Sequence, residues 1–277
     1  MGEIRRNTEA EASGGTEKDT GVLAVDVGNT STSLGVFSGE ELLGTFEYTT
    51  PETITADEAR LQVRHALDLL GLETPAGAIL SCVVPSIADA WTRALDHGCI
   101  RRARVVGPGL RTGLRMRYDD PGEVGSDRVA DAVAARAAYG CPCVVVDLGT
   151  TTNFEVIDDE GAFSGGIIAP GVALGATTLA RAAARLPMIE LRAPRSVIGR
   201  NTRAAMQSGV VLGEAARIDG LLDMVLAELG RRGGAGVPVV LTGGFAHDLA
   251  ALLRHETTVD ETLTLRGLNL LWRANER

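Results

Sequence analysis

The sequence predicts an α/β protein made of two similar lobes, each with a mixed β-sheet flanked by helices. A chain of 277 residues with 45% hydrophobic content is long enough to bury two cores. Short apolar runs alternate with helical patterns in both halves. A similar turn, led by aspartate, follows an apolar run at 26–30 and again at 147–151. We place the lobes at 21–118 and 119–277.

The first half alternates between strand and helix patterns. A near-continuous apolar run predicts its first strand, and apolar residues at helical spacing predict its helices. The predicted strands cover 22–27, 33–37, 42–50, 78–84 and 104–106, and the predicted helices cover 56–70 and 87–96.

The second half repeats this order of elements. Its predicted strands cover 143–147, 153–157, 162–168 and 239–242, and its predicted helices cover 126–139 and 201–229. The helix at 201–229 has one apolar face. We expect this face to pack against the core, and an interface between two subunits is the alternative. A glycine-rich motif, Gly165-Gly166 with Pro170-Gly171, would bend a strand and begin the next helix. The need for turns explains this motif as well as ligand binding does.

Composition restricts the possible partners. The formal net charge of −9 disfavours nucleic acid and anionic lipid. No apolar run approaches the roughly 20 residues that span a bilayer, so we expect a cytoplasmic protein without membrane contact. Residues 1–20 are polar and predict a mobile tail, and 231–236 predict a flexible loop.

Cysteine and histidine positions do not predict a metal centre. Cys82, Cys99, Cys141 and Cys143 lack zinc spacing, so we expect reduced thiols within strands. A redox pair at Cys141-Pro142-Cys143 is the alternative. The four histidines (His65, His97, His247 and His255) are scattered, and we expect them to be non-catalytic.

The two turn motifs have the residue types that bind magnesium and phosphate. In each, an aspartate at a strand end, Asp26 or Asp147, can face a hydrated Mg²⁺ ion. The glycine allows backbone N–H groups to approach an anion closely. The hydrogen-bond donors that follow are Asn29, Thr30, Thr150 and Thr151. One such turn is often an ordinary hairpin, but two copies half a chain apart predict a Mg·ATP site.

A third glycine element follows the strand at 239–242. Gly243 and Gly244 stand just before a helical pattern, so adenosine or a phosphate could lie against backbone and a helix N-terminus. A plain strand-to-helix turn is the alternative. A P-loop and a G-x-G-x-x-G motif are both missing from the sequence, which argues against Walker-type and Rossmann nucleotide sites.

These motifs resemble the superfamily of acetate and sugar kinases, heat-shock chaperone ATPases and actin. Further segments resemble one branch of it, the type III pantothenate kinases. They are Tyr118-x-x-Pro121, Gly125-Ser126-Asp127-Arg128, the segments 165–171 and 198–202, and 205–209. The resemblance runs from about residue 22 to the C-terminus and implies an actin-like, ribonuclease H-like fold.

The resemblance also implies roles for individual residues. Asp127 corresponds to the proposed general base, with Tyr118, Gly125, Ser126 and Arg128 around the acceptor substrate. Asp147 corresponds to a monovalent-cation site for K⁺ or NH₄⁺. Thr202 corresponds to a substrate contact made across the interface of a homodimer with composite sites. The ATP-phosphate and metal loop corresponds to Asp26, Val27, Gly28, Asn29, Thr30, Ser31, Thr32 and Ser33, and Thr150 corresponds to a further ATP contact.

Two of these residues have simpler explanations. Asp127 could act only as a helix N-cap or a first-turn acid, which the helix dipole favours. Arg128 could form a surface ion pair with Glu123 or Asp131.

The chain departs from the family pattern near the expected site. Asp131 stands where the family usually has asparagine, and Leu212 stands where a tyrosine is common. The sequence Thr152-Asn153-Phe154-Glu155 replaces the usual T-T-[FI]-D. A carboxylate at Asp131 would disfavour an anionic acceptor by like-charge repulsion.

Three functions fit the motifs. The first is ATP-dependent phosphorylation of the primary hydroxyl of pantothenate, the first step of coenzyme A biosynthesis. The second is phosphorylation of another small hydroxyl compound, such as a nucleoside or sugar. The third is a nucleotide-binding regulator without turnover, which the retention of Asp26, Asp127, Arg128 and Asp147 disfavours.

Overall fold

The structure is a computed structural model that describes residues 21–96, 100–230 and 236–276. The predicted tail at 1–20, His97, Cys99 and most of the predicted loop at 231–236 lie outside the described residues.

Strands and helices alternate along the chain. The strands are β1 Val22–Val27, β2 Ser31–Ser38, β3 Glu41–Thr49, β4 Gly77–Cys82, β5 Arg102–Val105, β6 Cys143–Leu148, β7 Thr151–Ile157, β8 Phe163–Pro170, β9 Val239–Thr242 and β10 Thr258–Val259. The helices are α1 Ala56–Leu70, α2 Pro85–Asp96, α3 Ser126–Tyr139, α4 Val172–Ala182, α5 Thr202–Gln207, α6 Gly213–Glu228, α7 Ala246–Ala250 and α8 Leu263–Ala274.

The described residues form two five-stranded sheets with the same topology. The first has the order β3-β2-β1-β4-β5 and the second the order β10-β9-β6-β7-β8. In each sheet the central strand, β1 or β6, pairs antiparallel with the next strand of the hairpin and parallel with a later strand. This duplication confirms the predicted fold class.

The chain divides into two compact units. Among the described residues, the first contains 21–113, 120–134 and 263–276, and the second contains 114–119 and 135–262. The lobe limits predicted from the sequence, 21–118 and 119–277, stay a prediction.

The core of the first unit lies between its sheet and the pair α1 and α2. Helix α1 begins at a capping box, in which Thr55 and Glu58 satisfy each other's backbone N–H groups, and ends at Gly71 in the left-handed conformation. Its apolar stripe packs against Trp91 of α2, which is fully buried. Helix α2 begins at Pro85, two residues before the predicted start, because proline is accommodated in the first helical turn.

Helix α8, which the sequence reasoning missed, packs on the first sheet and on α3. A Cβ atom on Gly267 would lie 2.0 Å from the carbonyl oxygen of Ala130 in α3. A Cβ atom on Gly77 of β4 would lie 2.1 Å from the ring of Trp272. The two glycines therefore allow α8 to approach α3 and β4 closely.

The predicted helix over 201–229 was wrong in its middle. Residues Ser208–Leu212 are π-helical and separate α5 from α6. Val210 and Val211, within this π-helical stretch, are both buried. The predicted apolar face packs into the core of the second unit, where Ile218 and Leu222 are fully buried.

Membrane spanning was also tested. Within the described ranges, no helix combines the length and the apolarity needed to cross a bilayer.

Replacing Gly267 by alanine tests the docking of α8. We expect Gly267→Ala to lower the melting temperature, because the new Cβ would contact backbone rather than a flexible side chain. The matched control is Gly220→Ala in α6, where a Cβ would meet no atom within 4 Å. There we expect a gain of about 0.5–1 kcal/mol, the usual difference between glycine and alanine within a helix. Equal effects of both changes in thermal denaturation would contradict this account.

Candidate functional site

The loop after β1 is a tight glycine turn with exposed polar side chains. The Gly28 N–H donates to the Ser31 carbonyl over 3.0 Å, and a Cβ on Gly28 would lie 3.1 Å from that carbonyl. Asn29 and Thr30 at the tip of the turn are exposed. The exposed side chains at the tip of the loop therefore offer hydrogen-bond donors to an anion.

Two of the predicted ATP-loop residues face the interior instead. Val27 is fully buried in the core. The Thr32 hydroxyl is also buried and lies 2.8 Å from the Thr50 hydroxyl. These residues fix the loop, and their side chains are not available to a ligand.

The loop after β6 is also a tight glycine turn. The Gly149 N–H donates to the carbonyl of Thr151, two residues on, over 3.1 Å, whereas Gly28 donates to a carbonyl three residues on. Thr150 is exposed, and Thr151 and Asp147 are half-buried. Asp147 is the direct cross-strand neighbour of Asn153, as Asp26 is of Ser33.

Two further glycine segments converge on Asp147 and its loop. Gly243 has φ +86, and a Cβ there would lie 2.5 Å from Asp147 Oδ1. The Gly171 N–H donates to the Thr150 carbonyl over 3.1 Å, and a Cβ on Gly171 would lie 2.5 Å from the Gly149 carbonyl. Only glycine at these positions leaves this backbone close to the Asp147 carboxylate.

The T-G-G segment contributes backbone rather than a strong helix N-terminus. The helix after Gly244, α7, begins at Ala246 and has five residues. The predicted contribution of a helix dipole is therefore small, since a dipole grows with aligned peptide units.

The Gly125-Ser126-Asp127-Arg128 segment forms the start of α3. Asp127 Oδ1 accepts a hydrogen bond from the Arg128 backbone N–H over 2.8 Å. A Cβ on Gly125 would lie 2.4 Å from the same oxygen, so a larger residue there would displace the Asp127 carboxylate. Asp127 therefore occupies the first-turn position that its simpler explanation predicts. Arg128 is 7% exposed, which does not fit a surface ion pair.

Burial affects the pKa of Asp127. It raises the pKa of this carboxyl above its usual range, although the Arg128 N–H and guanidinium act in the opposite direction. A carboxylate with a raised pKa is a better proton acceptor than an ordinary aspartate.

The start of α3 lies at the carboxyl end of β1 and β4. Ser126 Oγ lies 2.9 Å from Ser81 Oγ of β4, and Ser81 is the cross-strand neighbour of Asp26. Val83, which donates to the Val27 carbonyl, lies beside Gly125. The first unit therefore brings the Asp26 loop and the Asp127 segment together.

Asp131 faces the interior of the first unit. It is 2% exposed, and its Oδ1 accepts a hydrogen bond from Thr264 Oγ1 of α8 over 2.6 Å. The expectation that it would repel an anionic acceptor assumed an open carboxylate. The structure instead gives Asp131 a role in attaching α8 to α3.

Tyr118 and Thr202 belong to the second unit. The Tyr118 ring lies 6.1 Å from the ring of Phe163, and the neighbouring Arg117 pairs with Asp158 at 2.9 Å. Thr202 is the exposed first residue of α5, after the Asn201 side chain that caps the helix.

A buried polar network in the second unit was missed from the sequence. Thr152 Oγ1 donates to Glu214 of α6 over 2.5 Å, and Glu214 also pairs with Arg217. The Arg217 guanidinium donates to the Pro170 carbonyl over 2.6 Å. The network ties α6 to β7 and to the end of β8. A glutamate one turn before the apolar face of α6 was the available signal.

The cysteines do not form a redox pair. Cys143 is fully buried, and burial raises the pKa of its thiol to about 12. Cys141 is exposed, and both are free thiols. A thiol with so high a pKa is unreactive near neutral pH.

Comparison with known proteins identifies the family. The family model "Type III pantothenate kinase" matches residues 22–224. The chain belongs to the type III pantothenate kinase family. A type III pantothenate kinase of Anaeromyxobacter dehalogenans is 42% identical over 92% of this chain and 99% of its own length. One of Brevibacillus brevis is 39% identical over 92% of this chain and 99% of its own length.

Solved structures support the fold. The Campylobacter jejuni protein described as a conserved putative Baf family transcriptional activator has a TM-score of 0.57 and 18% identity, and covers 92% of this chain and 98% of its own. MreB 5 of Spiroplasma citri has a TM-score of 0.55 and 10% identity, and covers 94% of this chain and 98% of its own. This pantothenate kinase family member therefore has an actin-like fold.

The opposite pKa shifts of two aspartates predict opposite effects on stability. Burial alone would raise the pKa of Asp158, but hydrogen bonds from Ala162, Ser164 and Glu160, together with Arg117, hold it below its usual range. Ionised Asp158 thus stabilises the fold, and this contribution is lost as pH falls through the lowered pKa. Ionised Asp127 destabilises the fold, and this cost disappears as pH falls through the raised pKa.

We therefore expect Asp158→Asn to lower the melting temperature at pH 7. Asp127→Asn should leave the melting temperature unchanged or raise it. The difference in melting temperature between this variant and the parent protein should become smaller in acid. Thermal denaturation between about pH 2 and 8 measures both, because this range extends below and above the ordinary pKa of an aspartate. A large loss of stability in Asp127→Asn would show that its charge is compensated in the folded state.

Proposed function

We propose that this protein transfers the γ-phosphoryl group of ATP to the primary hydroxyl of pantothenate. The main support for this proposal is the position of Asp127, which has a raised pKa and lies at the end of β4 beside the Asp26 loop. Membership of the type III pantothenate kinase family supplies the substrate class.

In this reaction Asp127 accepts the proton of the pantothenate hydroxyl. The hydroxyl oxygen forms a bond to the γ-phosphorus, and the bond to the β–γ bridging oxygen breaks to release ADP. Phosphoryl transfer needs little covalent help, and depends on alignment and on charge stabilisation. Arg128, buried beside Asp127, is suited to hold the pantothenate carboxylate or the developing phosphate charge.

Each aspartate loop has residues suited to contact phosphate oxygens of ATP. In the first unit, the Gly28 backbone with Asn29, Thr30, Ser31 and Ser33 would hold phosphate oxygens. In the second unit, Thr150, Thr151 and the backbone of Gly243 and Gly244 would do so. Glycine at 28 and 243 leaves the backbone there without a side chain, and at both positions a Cβ would crowd neighbouring protein atoms.

The residues fit the two metal ions that the family implies. Mg²⁺ in kinases is held by one or two carboxylates together with substrate phosphates and waters, and Asp26 supplies one such carboxylate. A monovalent cation takes oxygen ligands, and Asp147 lies in register between Thr242 and Asn153. Bound metal would neutralise phosphate charge during transfer.

A homodimer is the proposed assembly. Val197 and Ile198 are 72% and 80% exposed, and the Val197 carbonyl accepts a hydrogen bond from Ser208 Oγ over 2.6 Å. The segment that contains them ends at Thr202, the residue proposed to contact substrate across the interface. Ordered, exposed apolar side chains of this kind favour association with a second copy.

The central test is enzymatic. We expect ADP release from ATP and Mg²⁺ with K⁺ to depend on added pantothenate. Asp127→Asn should lower kcat by about 10²–10⁴-fold, the usual contribution of a general base, and should leave KM largely unchanged. The matched control is Asp57→Asn on α1, whose exposed carboxylate pairs with Arg60. In the parent protein kcat should fall as pH drops through the raised pKa of Asp127.

A panel of nucleosides, sugars and small alcohols distinguishes pantothenate from other acceptors. Turnover of one of these in preference to pantothenate would overturn the proposed substrate. Binding of ATP without any turnover would favour the regulator.

Association is tested by placing a charge in the exposed apolar segment. We expect Ile198→Asp to shift the protein from dimer to monomer in light scattering, and to lower activity at low protein concentration. Leu61→Asp, at another exposed apolar position on α1, is the control. A monomeric parent protein would contradict the proposed assembly.

A further inference from the structure

Ser81 is a buried hydroxyl in an otherwise apolar strand. It occupies the fifth position of β4, whose sequence is GAILSC, and its side chain is fully buried. A buried hydroxyl lowers stability unless it is hydrogen-bonded. Its position therefore requires a specific partner.

The partner is the first residue of α3. Ser81 Oγ lies 2.9 Å from Ser126 Oγ, and 45 residues separate the two in sequence. Ser126 immediately precedes Asp127. The bond thus attaches the first turn of α3 to a strand of the first sheet.

The register of β4 places Ser81 beside the phosphate loop. Ser81 is the direct parallel neighbour of Asp26 in β1. Cross-strand neighbours project from the same face of a sheet, so Ser81 lies on the face that carries Asp26. A residue on a central strand is a more precise support than a residue on a loop.

We propose that Ser81 is a positioning residue that fixes the start of α3, and so Asp127, relative to the Asp26 loop. The inference rests on the proposed role of Asp127 as proton acceptor. Ser81 itself touches no reacting atom. Its hydroxyl contacts Ser126 and so keeps Asp127 at the same end of the sheet as the Asp26 loop, which would bind the phosphates.

Removing the hydroxyl pair from either side tests this role. We expect Ser81→Ala to lower kcat about 10- to 100-fold, because a small displacement of a base has a large effect on phosphoryl transfer. The KM values for ATP and pantothenate should change by less than about twofold, since Ser81 contacts neither ligand. Ser126→Ala should lower kcat at least as much, because the resemblance also places Ser126 beside the acceptor, and the double variant should be no slower than Ser126→Ala.

Thr92→Val is the matched control. The Thr92 hydroxyl donates to the Ala88 carbonyl within its own helix and joins no two elements. This variant should retain the kcat of the parent protein. If Ser81→Ala does not fold, Ser126→Ala removes the same hydrogen bond at a residue that is only half-buried.

A second measurement does not depend on turnover. Carboxyl ¹³C titration, with Asp127→Asn for assignment, follows the pKa of Asp127 directly. A loosened helix start admits water, so this pKa should fall towards its ordinary value in Ser81→Ala and Ser126→Ala but not in Thr92→Val.

The outcomes separate this inference from the proposed function. If the parent protein does not turn over pantothenate but the Asp127 titration moves in both serine variants, the function fails and the positioning role stands. If the parent protein is active and neither kcat nor the titration changes in Ser81→Ala, the positioning role is wrong. Additive losses in the double variant would also overturn it.

Discussion

The end of each central strand is the constraint on which the rest of the structure depends. In β1 and β6 the buried apolar run stops at an aspartate, and the next residues must turn back as a neighbouring strand. Glycine makes that turn tight, so the aspartate carboxylate and the backbone N–H groups of the turn lie close together. The sheets, helices and cores then serve to hold these two turns, which is the division of labour expected of a scaffold that carries a chemical site.

Much of this arrangement was predictable because it is local. Periodicity predicted α1 and α3 with their observed limits, and the apolar runs predicted every strand of the two hairpins. The D-x-G turns and the T-G-G segment were likewise visible, since each follows directly on an apolar run in the sequence. Local propensity and tertiary structure agree here.

The parts that escaped prediction depend on contacts between distant residues. Helix α8 has an apolar face, but its interior Gly267 makes sense only beside Ala130. The π-helical residues include buried Val210 and Val211, and an apolar pattern of this kind does not distinguish a π-helical turn from an ordinary α-helix. Asp131 shows the same limit, because its sequence neighbours suggest an exposed acid while Thr264, far along the chain, makes it an interior one.

The contact between Gly171 and the second loop has one further consequence. Helix α4 begins at the residue after Gly171 and presents exposed Leu174 and Leu179. Since the Gly171 N–H donates to the Thr150 carbonyl, any ligand that shifts this loop also shifts the first turn of α4.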